Sequence, residues 1–84
     1  MFTLLELPVG QVAKIVTIRG GWGVQRNLAS LGFIPGKKVR KIAVQPIGGP
    51  VMVEIAGCGR VAIGRGMAGK VLVERETYES SLNG

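Results

Sequence analysis

The chain contains no histidine and no aspartate, and it has a single cysteine, Cys58. Without those residues one chain cannot build a histidine general base, a Ser-His-Asp triad or an aspartate-held magnesium site. Cys58 has no CxxC partner, so a zinc or redox site within one chain is not expected. Glu54 and Glu74, predicted on adjacent strands, are the remaining carboxylate pair, and solvated strand faces explain them better. We predict a non-enzymatic protein with no catalytic residue, metal site or cofactor.

A long apolar run is also missing, because no stretch approaches the roughly 20 apolar residues that a membrane-spanning helix needs. The first ten residues lack the basic region and apolar run of a secretion signal. A lone cysteine gives no sign of an oxidising compartment. These observations predict a cytoplasmic protein with no direct membrane insertion, and a length of 84 residues allows one domain.

Acidic residues are scarce: 11 Lys and Arg oppose five Glu, which gives a net charge of +6. This balance favours nucleic acid, anionic lipid or an acidic protein face as a partner, or it serves solubility alone. One basic patch stands out, formed by Lys37, Lys38, Arg40 and Lys41. Nucleic acid is disfavoured because no aromatic side chains for base stacking interleave with this patch. A solvated strand end is the favoured interpretation.

Glycine is abundant, with 14 residues whose clusters separate short apolar runs. This pattern predicts about five short strands joined by tight turns, with one helix inserted after the first strand. Short, bent strands without long connections close most economically as a small barrel. The predicted fold is therefore all-β with a short inserted helix. Residues 1–76 form the single domain, and the polar residues 77–84 are predicted to fray.

The predicted elements have specific signals. An apolar stripe of Val24, Leu28 and Leu31 predicts a helix over residues 24–31, with Gly32 as its stop. The first strand, Val12–Ile18, is apolar on both faces and is predicted to be buried on two sides. In residues 38–45 the apolar positions change parity, which predicts a β-bulge near Arg40 and Lys41.

Three residues are candidates for contact with a protein partner: Trp22, Arg26 and Met67. Trp22 is flanked by glycines in a predicted loop, where it is either an anchor for a partner or a lid over the barrel mouth. Arg26 follows one helical turn later and is expected to share its face. Met67 suits either a contact surface or the core. A phosphate site at Gly20–Gly23 is not expected, because the spacing matches no nucleotide-binding motif.

The ordered motifs of the chain resemble those of the ferrous iron transport protein A (FeoA) family over nearly its whole length. The pairing of a Leu-Gly-x-x-Pro-Gly motif with a later Gly-Gly-Pro motif is the most specific part. The matching elements are Leu7-Pro8-x-Gly10, Arg26-x-Leu28-x-x-Leu31-Gly32-Phe33-Ile34-Pro35-Gly36, Pro46-x-Gly48-Gly49-Pro50-Val51 and Val61-Ala62-Ile63-Gly64. The resemblance implies a small SH3-like β-barrel.

The resemblance also implies a function. It points to a non-catalytic cytoplasmic accessory protein of bacterial ferrous iron uptake, which docks on the GTPase domain or the cytoplasmic face of the membrane Fe(II) transporter. It brings no catalytic residues. The absence of histidine argues against a direct iron carrier.

Two alternatives stay open beside this interpretation. One is a nucleic-acid-binding SH3-like domain that uses the basic patch. The other is a metal-responsive regulatory domain in which glutamates or Cys58 would be shared across an oligomer. A homo-oligomer could form through an edge strand or through Trp22, and the sequence does not choose between them.

Overall fold

The computed structural model describes residues 1–76, and the predicted tail 77–84 lies outside the described residues. Six strands form one antiparallel sheet in the order β1-β6-β2-β3-β4-β5. The strands are β1 (Phe2–Thr3), β2 (Val12–Ile18), β3 (Lys38–Val44), β4 (Val51–Ile55), β5 (Gly59–Ile63) and β6 (Val71–Arg75). Helix α1 (Trp22–Ser30) follows β2, and the single turn α2 (Arg65–Ala68) precedes β6. The two-residue strand β1 is too short for a sequence pattern to reveal.

Both central strands carry one unpaired residue. On β2 the pairing with β6 shifts between Ile15 and Thr17, so Val16 is the extra residue. On β3 the pairing with β4 shifts between Lys41 and Ala43, so Ile42 is the extra residue. The bulge predicted in β3 is confirmed, one residue later than expected. The prediction that β2 is buried on two sides is wrong.

The reason lies in the bulge at Val16. Ala13 and Ile15 face the core before the bulge, and Ile18 faces it afterwards, while Lys14 and Thr17 are exposed. An extra residue reverses the alternation, because side chains along a strand point to opposite faces. The buried apolar residues of β2 thus serve one core face, and Val12 and Val16 are only half-buried.

One apolar cluster fills the interior. Every strand from β2 to β6 supplies at least one residue to it, and the N-terminal turn, both helices and the segment after α1 complete it. Its buried members are Leu4, Leu7, Ala13, Ile15, Ile18, Leu28, Phe33, Val39, Val51, Val53, Ile55, Ile63, Ala68, Val71 and Val73. At roughly 25 cal/mol per Å² of buried apolar surface, this cluster is the main source of stability.

Helix α1 begins two residues earlier and ends one residue earlier than predicted. Its C-terminus is a Schellman motif: the Gly32 N–H donates to Ala29 at 3.0 Å, and the Phe33 N–H donates to Leu28 at 3.0 Å. Gly32 has a φ of +106°, which is the left-handed conformation expected of the stop. Leu28 is buried, but Leu31 lies beyond the helix and is 40% exposed, so it does not belong to the buried stripe.

The N-terminal residues form a hydrogen-bonded turn after β1. The Glu6 carboxylate accepts a hydrogen bond from the Thr3 N–H at 2.8 Å, and the Glu6 N–H donates to the Thr3 carbonyl at 2.9 Å. This is the spacing of a capping box, although no helix follows. The turn buries Leu4 and Leu7 against the sheet. Among residues 1–76, neither helix has the length and apolar composition to span a bilayer.

Candidate partner-binding face

Trp22 is the first residue of α1 rather than part of a loop. The helix N-terminus has no side-chain cap, and Gly21 precedes it in an extended conformation. The Gln25 side-chain amide donates to the Gly20 carbonyl at 3.0 Å, which ties the first turn to the segment before it. Because Trp22 sits on the outer side of this first turn, its side chain is 73% exposed. The lid interpretation is therefore wrong.

Arg26 lies one helical turn after Trp22, as predicted, and stacks on its ring. The guanidinium carbon is 4.8 Å from the centroid of the indole. Residues four apart on a helix share a face, and a cation over an indole at an exposed site contributes about 0.5–1 kcal/mol. The contact favours one orientation of an exposed tryptophan, and thereby lowers the entropy lost when a partner covers it.

A groove with a volume of about 300 Å³ lies beside this pair. Four residues of α1 form one wall, and residues from the end of β2 and from the segment after α1 form the other. The groove is lined by Thr17, Ile18, Trp22, Gln25, Arg26, Ala29, Phe33, Ile34 and Pro35. The Schellman motif at Gly32 determines the course of residues 33–35, since it redirects the chain immediately after α1. Apart from Trp22 and Arg26, these lining residues were not predicted.

Met67 is not among the residues that line this groove. It lies on α2, and it packs half-buried against the core. Of the two interpretations of Met67, core filling fits this placement. The structure thus brings together two of the three predicted contact residues.

The predicted basic patch does not form one surface. Lys38 and Arg40 are exposed, but Lys41 is only 3% exposed because it alternates to the core side of β3 with Val39. Lys37 is half-buried, and its ammonium donates to the Ala56 carbonyl at 3.3 Å. The interpretation as a uniformly solvated strand end is therefore wrong for Lys41.

Acidic neighbours flank the exposed members of the patch. The Lys38 ammonium is 3.7 Å from a carboxylate oxygen of Glu76. Arg40 lies directly opposite Glu54 on β4. Exposed ion pairs contribute little stability, at most about 1 kcal/mol, but they reduce the local positive potential.

Lys41 has an unusual environment. Its ammonium donates to the Leu5 carbonyl at 2.8 Å and so joins the N-terminal turn to β3. Burial lowers the pKa of Lys41, and the positive charge of Arg65 lowers it further. Both causes disfavour the charged form of the amine.

The acidic residues and the cysteine do not converge. In residues 1–76, no group of three or more Cys, Asp, Glu or His side chains could hold a metal ion. Glu54 on β4 and Glu74 on β6 are separated by β2 and β3, so the predicted adjacency of their strands is wrong. Cys58 is exposed in the turn between β4 and β5. These placements leave the groove beside Trp22 as the candidate site.

The antiparallel sheet with a short helix inserted after β2 is the architecture of a small SH3-like domain. The FeoA domain matches residues 2–75. The chain therefore belongs to the FeoA family, as its motifs indicated.

Individual relatives agree with this assignment. A curated protein of Methanocaldococcus jannaschii, named "Putative Fe(2+) transport protein A", is 35% identical over 78 residues, which cover 93% of this chain and 92% of the relative. The crystal structure of an iron uptake regulatory protein (FeoA) is 34% identical, with a TM-score of 0.79 over 87% of this chain and 95% of that one. Zinc-complexed FeoA of Stenotrophomonas maltophilia, described as a prokaryotic SH3 domain protein, is 32% identical, with a TM-score of 0.73 over 88% and 91% of the two chains.

Proposed function

We propose that this protein is a cytoplasmic accessory factor of ferrous iron transport that acts by binding the Fe(II) transporter, at its GTPase domain or another part of its cytoplasmic face. It contributes no catalysis of its own. The family assignment supports the process. The observation that carries the proposal is the exposed Trp22, held by Arg26 on the rim of an apolar groove.

The chemistry of this face suits a protein partner. Tryptophan and arginine are the residues most often found to dominate binding energy at protein interfaces. The groove beside them can take an apolar side chain of the partner, because the exposed apolar residues Ile34 and Pro35 line it. Arg26 and the net charge of +6 favour an acidic surface around that side chain.

The proposal predicts the effect of removing the aromatic anchor. Trp22→Ala should weaken binding to the isolated GTPase domain of the matching transporter about 30-fold, as expected for a hot-spot residue. Arg26→Glu should weaken it as well, whereas Arg26→Lys keeps the charge but loses the planar stacking and should have a smaller effect. The measurement is an NMR titration of the labelled domain, with shifts expected at residues 17–18, 22–29 and 33–35.

Arg60→Glu is the matched control, because it makes the same charge reversal on β5, which does not line the groove. It should leave the affinity within about twofold of wild type at physiological salt, because an exposed charge far from the contact acts only through a screened field. Equal affinity of the wild type, Trp22→Ala and Arg26→Glu would show that this face is not the contact. Ferrous uptake in cells carrying the same variants provides the second readout.

A further inference from the structure

The loop between β3 and β4 projects an isoleucine into solvent. Ile47 is 100% exposed, and the neighbouring Val44 at the end of β3 is 37% exposed. The loop residues 45–50 carry no charged side chain, and they include Pro46 and Pro50. An apolar side chain of this size with no contact to its own chain contributes nothing to the core.

The backbone at Ile47 adds a second unfavourable feature. Its φ is +55°, and it is the only non-glycine residue with a positive φ among residues 1–76. Gly48 follows with a φ of +74°, so two successive residues of this six-residue loop are in the left-handed region. Asparagine is preferred at the first of these positions, and a β-branched residue is strongly disfavoured there. Neither packing nor turn geometry therefore explains an isoleucine at position 47.

One cation lies at the end of the sheet from which this loop projects. Val51, the residue directly after the loop, pairs with Ile63, and Arg65 follows two residues later. Because β4 and β5 are antiparallel, this register places Arg65 beyond the end of β5 that lies beside the loop. Arg65 is exposed. An uncharged, apolar tip thus projects from an end of the sheet that also carries an exposed cation.

We propose that the β3–β4 loop is an interfacial membrane contact, in which Ile47 enters the headgroup region of an anionic bilayer while Arg65 faces the lipid phosphates. Insertion to this depth needs only apolar area together with electrostatic attraction, which the net charge of +6 supplies. The uncharged, apolar tip and the exposed cation behind it are the two parts that contact with an anionic lipid surface uses, so a lipid surface is the occupant that we assign. The expectation of no membrane insertion rested on the missing spanning segment, and it does not bear on contact at the interface.

Co-sedimentation with lipid vesicles tests this contact directly. The full chain should bind vesicles of phosphatidylcholine mixed with phosphatidylglycerol, bind phosphatidylcholine alone much less, and release as salt rises. Ile47→Asn should reduce binding to the anionic vesicles about tenfold, through the loss of one buried aliphatic side chain. The variant should unfold at a temperature no lower than wild type, because asparagine suits a positive φ.

Leu31→Asn is the matched control, because it replaces an exposed leucine just after α1 with the same polar residue and should leave vesicle binding unchanged. A second readout uses tryptophan fluorescence. In a Trp22→Phe background, the tryptophan of Ile47→Trp should shift its fluorescence emission to the blue when the protein binds vesicles, and brominated lipid should quench that emission.

Equal vesicle binding by wild type and Ile47→Asn would overturn the proposal, as would no binding by wild type. The proposal would also be overturned if Ile47→Asn bound vesicles as wild type does but lost binding to the transporter's GTPase domain. The loop would then be a protein contact. Trp22→Ala tests the proposed function separately, because it should retain vesicle binding.

Discussion

Lys41 shows how one residue can occupy a core position and still carry a charge. Its position on β3 follows Val39 in the same alternation, so the side chain begins on the core side of the sheet. The aliphatic stem can lie along apolar surface while the ammonium reaches the Leu5 carbonyl. The lowered pKa shows that the folded environment disfavours the charged amine relative to water.

Lys41→Met should therefore be at least as stable as wild type at neutral pH. A residue of similar length replaces an ammonium whose desolvation is offset by one hydrogen bond. Because the folded pKa of Lys41 lies below 10.5, the unfolded chain binds more protons between those two values, and wild type gains stability there as pH rises. The advantage of the variant should shrink over that alkaline window.

Denaturant unfolding at several pH values measures this difference. Lys38→Met is the control, because it removes the same charge from the exposed side of β3. A Lys41→Met protein that is markedly less stable than wild type at neutral pH would show that the bond to Leu5 outweighs the cost of burying the amine.

The sequence supports some residue-scale predictions and not others. Trp22 and Arg26 could be paired because residues four apart on a helix always share a face. The prediction put Lys41 in an exposed basic patch because four cations within five residues suggest a single surface. The useful signal was the strand period of two, which puts Lys41 on the same face as the apolar Val39.

Among the elements, the end of α1 matters most to the candidate site. Gly32 allows the chain to leave the helix in a left-handed turn, which places Phe33 in the core and Ile34 on the groove. Space is limited there as well, because a Cβ on Gly32 would lie 3.1 Å from the sulfur of Cys58. Two independent reasons thus favour glycine at this position.

Gly32→Ala should cost about 1–2 kcal/mol for the left-handed conformation alone, and more through crowding against Cys58. For a domain of this size, each kcal/mol lowers Tm by roughly 4–8 °C. Gly10→Ala is the control, since Gly10 also has a positive φ but a Cβ there would meet nothing within 4 Å. Thermal unfolding should show the larger loss for Gly32→Ala, with partial recovery when Cys58→Ala is added. Equal losses would eliminate crowding as a cause.

Element boundaries illustrate what local patterns can and cannot predict. The stop at Gly32 and the bulge in β3 could be predicted, because each leaves a local mark on the sequence. The bulge at Val16 could not be predicted, because β2 has apolar residues at both odd and even positions. A shift of one residue therefore leaves no break in its hydrophobic pattern. The groove depends on contacts between β2, α1 and residues 33–35, and such distant contacts leave no local pattern.

At the scale of the whole molecule, acidic residues lie among the cations of the sheet's outer face. Glu54 lies opposite both Arg40 and Arg60, and Glu74 lies opposite Lys14. The net charge of +6 is therefore not concentrated on this face. Nucleic-acid binding that relies on many phosphate contacts needs such a concentration.

We therefore predict that the protein binds single-stranded RNA and duplex DNA no more tightly than non-specific basic proteins, with Kd above about 10⁻⁶ M at physiological salt. Fluorescence anisotropy over a salt series measures this. Sub-micromolar binding with a steep salt dependence that Lys38→Glu and Arg40→Glu abolish would support the nucleic-acid alternative instead.

The unpaired residues Val16 and Ile42 set the phase in which β2 and β3 present side chains to the core. Each strand presents its residues in one phase before the bulge and in the opposite phase after it. If β2 paired with β6 without a bulge, its composition would be unchanged, but Thr17 would point inward and Ile18 outward. Deleting Val16 would avoid this, because Ile15 and Ile18 would then stand two residues apart on the core face. A deletion at the bulge thus preserves the inside and outside of the strand, whereas a deletion in the regular part before it reverses them.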